Sequence, residues 1–249
     1  MLKISIITVT YNSESHLQQS INSVISQDYP NKEYIIIDGK STDSTLNIIE
    51  QFKHQLGNFI SEPDKGLYDA MNKGINLCTG DVIGLLNSDD IYTDNDVLTD
   101  VMNCFNADPD LDILYGNLVY VKKEDTNEII RKWNSLPYYN NFFEHGHVPP
   151  HPALFLRLHV YKKAGLFDLQ YKLASDYEFM FRIFKKYNFK STFINRLTVK
   201  MRLGGTTNKS IKNILNGNKE ILKAWKNNGF KPPISFIFLK VLKRLIQFI

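Results

Sequence analysis

Hydrophobic positions along the chain change period several times, and each change predicts an element. Lys3–Thr10, "KISIITVT", is a continuous β-branched run, the pattern of a parallel strand covered on both faces. Leu17, Ile21, Val24 and Ile25 then fall at i, i+4, i+7 and i+8, an amphipathic helix for which Ser13 is a capping candidate. "EYIIIDG" reads as a second strand and "STDSTLNIIEQF" as a second helix, with Ser41, Thr42 and Asp43 as possible caps. "GLYDAMNKGINL" predicts a third helix and "GDVIGLL" another strand, so with a third strand-like unit ending before Glu62 four such units precede residue 90. Further on, "DILYGNLVYV" and "HPALFLR" read as strands, and "HVYKKAGLFD" and "YEFMFRIFKKY" as helices. Strands alternating with helical segments predict an α/β sheet with crossover helices. There are no internal repeats and no low-complexity segment.

In such sheets a ligand sits beyond the carboxyl ends of the strands, where strand order reverses. That rule selects Thr10-Tyr11-Asn12, Asp38-Gly39, Glu62-Pro63-Asp64-Lys65-Gly66 and Asp89-Asp90. Three of these four places carry a carboxylate. A dinucleotide fold needs GxGxxG after its first strand, but "TVTYNSES" contains no glycine, and there is no GxxxxGK[ST] loop. If the ligand is a nucleotide, another group must neutralise its phosphates. A hard cation, Mg²⁺ or Mn²⁺, on Asp90 would do so, with diphosphate and water oxygens completing the octahedron. Asp89 would then serve the ribose. The bland alternative is that Asp-Asp only starts a turn and caps the helix near "DNDVLTDVMNCF".

Composition adds an asymmetry. The 249 residues carry a net +4, yet from Lys200 onward there are eleven Lys/Arg and one acid, Glu220, against nineteen bases and twenty-five acids before it. Basic residues on a terminal appendage argue against a nucleic-acid module and for an acidic surface as partner. Cys78 and Cys104 form no CxxC motif and no disulfide framework, and "MLKISIITVTYN" has neither a basic leader nor a small-residue cleavage site. A cytoplasmic location is the expectation.

Taken together, "SIITVTYNSESHLQQSINSVISQDYPNKEYIIIDGKSTDST", "EPDKGLYDAMNKGINLCTGDVIGLLNSDD" and "ASDYEFMFRI" resemble the family-2 glycosyltransferases over most of residues 3–185. Each stretch alone is weak, but their order and spacing are specific. The resemblance implies the GT-A (Rossmann-like) fold, a mixed, mainly parallel sheet flanked by helices. It implies a glycosyltransferase domain over 1–205, with a nucleotide-binding half (1–105) and an acceptor-binding half (106–205), followed by a basic helical tail over 206–249. It further implies that Thr8, Tyr11, Asn12 and Glu14 border the nucleotide, that Asp38 accepts from the base, that Asp64 lies on the nucleoside, and that Asp89 and Asp90 divide their roles as above. Asp176 matches the second position of the family's Glu-Asp pair and is the expected catalytic base, with Glu178 as fallback. His151, between prolines in "VPPHPALFLR", is expected near the sugar unless it is merely structural. "RLGGTTNKS", from Arg202 to Ser210, resembles a loop that closes over the donor, in which Arg202 could meet a phosphate.

This chain also departs from the family pattern. Asn87 stands where relatives often have Asp, Met71 where they often have Arg, and Ser175 where they have Glu. Lys65 or Lys73 is a candidate substitute for the missing cation. The reading is a metal-dependent inverting transferase moving a sugar from a nucleoside diphosphate to a saccharide hydroxyl, as in bacterial capsule, exopolysaccharide or lipopolysaccharide assembly. In "SFIFLKVLKRLIQFI", Lys240, Lys243, Arg244 and Gln247 make a narrow basic stripe beside a broad apolar face. Residues 232–249 are therefore expected to lie on an anionic cytoplasmic leaflet, which suits a lipid-linked acceptor, or to pack on the protein body or a second copy. A nucleotidyltransferase and a non-catalytic sugar-binding scaffold remain as rivals, and a homo-oligomer is left open.

Overall fold

β1 (Ile4–Thr10) is buried along its whole length because it lies inside the sheet, in parallel between β2 (Lys32–Asp38) and β4 (Val82–Leu85). The computed structural model describes residues 1–204, 210–245 and 247. β3 (Asn58–Ser61) extends the sheet beyond β2. The chain thus steps outward from β1 through β2 to β3, then returns to the far side of β1. Strand order reverses there, and a crevice opens at the carboxyl ends.

Alternation along the strands feeds two cores. Ile7, Val9, Ile35, Ile37, Ile83 and Leu85 pack on the side of α3 (Leu67–Leu77). Ile4, Ile6, Tyr34, Ile36 and Val82 pack on α1 (Leu17–Ile25), α2 (Thr45–Phe52) and α4 (Val97–Ala107). Ser13 does not cap α1. Its hydroxyl lies 2.9 Å from that of Ser88, while its carbonyl accepts from His16 and Leu17. α2 starts later than the Ser41–Asp43 candidates, and Asp43 accepts from the Thr45 amide.

The second half adds β5 (Ile91–Tyr92), β6 (Ile113–Val121), β7 (Ile129–Trp133), β8 (Leu154–Arg157) and β9 (Ser191–Arg202). Among the described residues the sheet order is β3-β2-β1-β4-β8-β6-β9-β5, with β7 on β6. β5, β7 and β8 run against the other six, giving the mixed, mainly parallel sheet expected. Within "HPALFLR" the strand begins only at Leu154, because His151–Ala153 forms a 3₁₀ turn. α5 (Leu158–Ala164) and α6 (Ser175–Phe181) follow, and α6 runs on into a π-turn over Arg182–Lys186.

The C-terminal segment is woven into this core. Ala224 and Trp225 of α7 (Ile211–Asn227) and Phe236 of α8 (Phe236–Leu245) are fully buried and belong to the α3-side cluster. The Trp225 ring lies 4.5 Å from Phe181 and 5.1 Å from Phe236, and its indole N–H donates to Tyr177 Oη at 2.9 Å. A Cβ on Gly146 would stand 2.6 Å from the Lys240 amide nitrogen, so α8 lies directly on that loop. The basic side of α8 turns inward: Lys240 Nζ donates to Asn218 at 3.1 Å, and the charge of Lys243 acts on His147. Ile234, Phe238, Val241 and Leu242 face outward, with Phe238 68% exposed. Phe236 anchors the helix on the same side as Lys240 and Lys243. Of the loop expected to close over the donor, residues 205–209 lie outside the described residues.

Removing the indole should show that this segment is part of the fold. Trp225→Ala is expected to lose about 3–5 kcal/mol in a urea melt with a single transition. A change below about 1 kcal/mol would mean that α7 is peripheral.

Candidate active site

The polar residues at the carboxyl ends of the first four strands form one connected arc. At its centre, Asp38 ends β2 with its side chain fully buried. Its oxygens accept from the Ser41 amide at 3.0 Å, the Ser61 hydroxyl at 2.6 Å and the Ser41 hydroxyl. Asn12 has φ 48°, a left-handed turn that asparagine tolerates. Its amide donates to Ser41 Oγ and its side-chain oxygen accepts from the Thr42 amide, each at 2.8 Å. Glu14 accepts from the Ser44 amide at 2.8 Å. Asn12 and Glu14 therefore fasten the loop after β1 to the loop after β2. Thr8 is completely buried and accepts from Tyr34 Oη at 3.0 Å, so it lies beneath the crevice floor.

The open part of the arc is at Tyr11 and Asp64. Tyr11 is 61% exposed. A Cβ on Gly39 would come within 2.4 Å of an Asp64 carboxylate oxygen and 3.4 Å of the Tyr11 ring. Glycine at 39 thus lets the ring and the carboxylate close on a shared spot. Asp64 also accepts from the Gly66 amide at 2.8 Å, which sets the entry to α3. Lys65 is exposed beside it, with its amide held by Asp69 at 2.9 Å. Lys73 does not take the place of the missing arginine: its ammonium is paired with Glu62 at 2.7 Å and donates to the Pro63 carbonyl at 2.8 Å. Met71 is in the core.

At the other end of the arc, Asp89 is half-buried and Asp90 is fully buried at the entrance to β5. Asp90 Oδ2 accepts from Asn87 Nδ2 at 2.8 Å, and Oδ1 is buried without a hydrogen-bond partner. The pair does lie in a turn, closed by the Asp90 amide on the Asn87 carbonyl at 3.1 Å, but α4 starts from Asp96, so Asp90 caps no helix. Burial, reinforced by the charge of Asp89, holds the Asp90 carboxyl well above the usual carboxylate range. An orphaned buried oxygen beside a second carboxylate fits a hard divalent cation, which would remove the cost of ionising Asp90. Asp90 is the residue that would hold it, with Asp89 beside it. Among the described residues no group of three or more His, Cys, Asp or Glu is placed to hold a metal ion, so other ligands would come from the bound molecule and water. Arg202 is buried at this corner and donates to the Lys123 carbonyl at 3.0 Å, to the Asp89 carbonyl and to Gln19. In this arrangement it positions the Asp89–Asp90 turn instead of pointing into an open cleft.

The second half brings up Asp176. Its Oδ1 accepts from Tyr68 Oη of α3 at 3.0 Å and from the Tyr177 amide at 2.8 Å. Burial and the adjacent Asp176 push the Tyr68 hydroxyl well above its ordinary value, so it stays protonated and donates. His151 is nearly buried, edge-on to Phe167 with ring centroids 5.6 Å apart. Burial lowers its imidazole pKa against the opposing pull of Asp176, which keeps the ring neutral beside that carboxylate. Glu178 is unsuited as a base. It is buried in a two-pronged pair with Arg182, at 3.0 and 2.8 Å, and also accepts from Asn228 at 3.0 Å. Ser175 donates to the Asp168 carbonyl at 2.9 Å.

Comparison with known proteins identifies the family. The sequence profile of glycosyl transferase family 2 matches residues 5–191. The chain belongs to glycosyl transferase family 2. An uncharacterized glycosyltransferase of Mycobacterium tuberculosis is 30% identical over 181 residues, 72% of this chain and 68% of that one. A PGL/p-HBAD biosynthesis glycosyltransferase of Mycobacterium bovis is 30% identical over 183 residues, 72% and 69% of the two chains. Among solved structures, S. aureus TarS 1-349 in complex with UDP-GlcNAc has a TM-score of 0.70 at 18% identity, covering 97% of this chain and 69% of that one. A mannosyltransferase from Pyrobaculum calidifontis in complex with GDP-Man and Mn²⁺ has a TM-score of 0.66 at 15% identity, covering 98% and 70%. At such identities the two structures establish the fold.

Two residues of this glycosyltransferase's site escape a reading of its sequence. Tyr68 looks like any core aromatic on a helix, and only its hydroxyl's reach to Asp176 distinguishes it. Asn72 could pass for a helix-surface residue, yet its amide exchanges hydrogen bonds of 2.9 and 3.0 Å with the Phe167 backbone, tying α3 to the second half.

The burial of Asp90 gives a signed prediction. A carboxyl whose folded pKa is raised is stabilising below its unfolded value, near 4, and this is lost as pH rises toward the folded value. In chelator, Asp90→Asn should therefore raise the melting temperature at pH 8 by roughly 2–4 °C, with the gain vanishing near pH 4. A variant that is less stable at pH 8 would show that the ionised side chain is already compensated within the protein.

Proposed function

We propose that this glycosyltransferase carries out an inverting, cation-assisted transfer of a sugar from a nucleoside diphosphate to a hydroxyl of a saccharide. The observation that carries the reading is the Tyr68–Asp176 hydrogen bond, which brings a half-buried carboxylate of the second half to the edge of the carboxylate arc of the first. Tyr11 and Asp64 receive the nucleoside, with Lys65 beside them. Asp38, fully buried with its oxygens taken up by Ser41 and Ser61, braces the β2 end of the site from beneath instead of receiving the base, and Asp89 serves the ribose. Thr8, Asn12, Glu14 and Arg202 shape this site from behind by holding the loops that form it. A Mg²⁺ or Mn²⁺ ion on Asp90 would supply stabilisation of the charge that develops on the leaving diphosphate.

Asp176 acts as the general base. Its Oδ1 is held by Tyr68 and the Tyr177 amide, so Oδ2 is the oxygen that takes the acceptor hydroxyl's proton. The acceptor oxygen forms its bond to the anomeric carbon as the bond from that carbon to the diphosphate oxygen breaks on the opposite face. The nucleoside diphosphate departs with the bonding electron pair. Neutral His151 flanks the sugar and adds no positive charge that would weaken the base. The Mn²⁺ and GDP-Man of the P. calidifontis mannosyltransferase and the UDP-GlcNAc of TarS are donor chemistries of the same kind, found in proteins of the same fold.

The acceptor is proposed to be lipid-linked, within bacterial surface-glycan assembly. Ile234, Phe238, Val241 and Leu242 form an outward apolar ridge on the C-terminal segment, and Lys212, Lys219, Lys223, Lys226 and Lys231 are exposed nearby in sequence. Among the described residues no helix is long and apolar enough to cross a membrane. An interfacial placement on an anionic cytoplasmic leaflet suits a ridge of this kind, with α7 lysines supplying the headgroup contacts.

Asp176→Asn should reduce turnover at least about 10³-fold while leaving nucleotide affinity within about twofold, by calorimetry with UDP and GDP in Mn²⁺. Asp90→Asn should instead abolish the Mn²⁺-dependent part of nucleotide binding. If Asp176→Asn turns over normally, the base assignment fails; if neither nucleotide binds with metal present, the donor reading fails. For the membrane placement, Phe238→Glu should cut co-sedimentation with phosphatidylglycerol vesicles at least about fivefold. Equal recovery of wild type on neutral and anionic vesicles would oppose it.

A further inference from the structure

Glu220 is the one acid among the last fifty residues, and its carboxylate is aimed at the segment that carries the candidate base. Oε1 accepts from the Lys172 amide at 3.0 Å, and Oε2 from the Leu173 and Ala174 amides at 2.8 and 2.9 Å. Three consecutive backbone donors thus converge on one side chain from another element. Ala174 is the residue from which α6 starts, and Asp176 lies in its first turn. Lys172, Leu173 and Ala174 come just ahead of a helix start, where backbone amides have no carbonyl partner within the helix. Without Glu220 they would turn to water, and the direction in which the chain enters α6 would no longer be fixed.

Other contacts make the arrangement directional. Trp225, five residues along α7 from Glu220, donates to Tyr177, the neighbour of Asp176. Tyr68 grips Asp176 itself from α3. The candidate base is therefore held from the nucleotide half by a hydroxyl and from α7 by a carboxylate and an indole. Glu220 lies outside residues 5–191, the part that matches the family profile. We propose that Glu220 is a positioning residue for the transfer reaction, acting through the backbone of residues 172–174 to set Asp176 against Tyr68. α7 then belongs to the catalytic apparatus. This rests on the reading of Asp176 as the base.

The test is a double-mutant cycle on the full chain with Glu220→Gln and Asp176→Asn, reading kcat, donor KM and melting temperature. Gln keeps the length and one acceptor oxygen but loses the charge and the second acceptor. Glu220→Gln is expected to lower kcat about 10–50-fold with donor KM within about twofold, and to add no further loss in the Asp176→Asn background. Glu220→Asp, shorter by one methylene, is expected to restore part of kcat. The proposal is overturned if kcat is unchanged, or if the two losses multiply independently. It is also overturned if donor KM rises in step with a lower melting temperature, because Glu220 would then only brace the fold. If Asp176→Asn alone is fully active, the base reading fails, whatever Glu220→Gln does.

Discussion

Burial of β1 on both faces is the constraint from which the rest of the site follows. With Ile7 and Val9 committed to one core and Ile4 and Ile6 to the other, side chains with polar work to do are left to the strand ends. Reversal of strand order at β1 then puts the ends of β1, β2 and β4 around one crevice. Asn12, Asp38, Asp64 and Asp89 meet there because each lies within a few residues of its strand's carboxyl end. The hydrogen bonds through Ser41, Thr42 and Ser44 make the loops a single unit, since each loop supplies the partner that its neighbour's backbone lacks.

Electrostatics divide this arc into unlike parts. Asp38 is buried but surrounded by serine hydroxyls and an amide, so its charge is solvated by the protein. Asp90 is equally buried, but it has one side-chain amide donor, one orphaned oxygen and an acidic neighbour, which Arg202 offsets only in part, so its carboxyl is still held well above the usual range. The first arrangement is complete in itself. The second calls for a positive charge from outside, and this sets it apart from the other acids of the crevice. Asn87 fits that asymmetry, because an amide donates to Asp90 where a third carboxylate would add repulsion.

The second half and the C-terminal helices answer the first half from across the crevice. Tyr68 and Asn72 of α3 reach to Asp176 and Phe167, while Glu220 and Trp225 of α7 hold the same α6 region from behind. Glu178 and Arg182 complete the support, with Arg182 also donating to the Leu166 carbonyl at 2.8 Å. The base candidate thus sits where three elements meet, and its orientation depends on all of them.

The sequence by itself determined most strands and helices of the first ninety residues, because β-branched runs and helical spacing are local signals, and the resemblance of three motif stretches carried the family. β5, β7 and β9 were not legible in it: β5 is two residues long, and β9 is defined by pairing with β6 across more than seventy residues. The resemblance ranked Asp176 ahead of Glu178, and the tertiary structure removed the fallback, because only packing buries Glu178 against Arg182. Packing likewise turned Arg202 into a brace, Lys73 into a partner of Glu62 and the basic side of α8 inward. In each case, long side chains on the surface of an element can reach several partners. Which one they meet is decided by how the elements pack, and neither period nor composition carries that information.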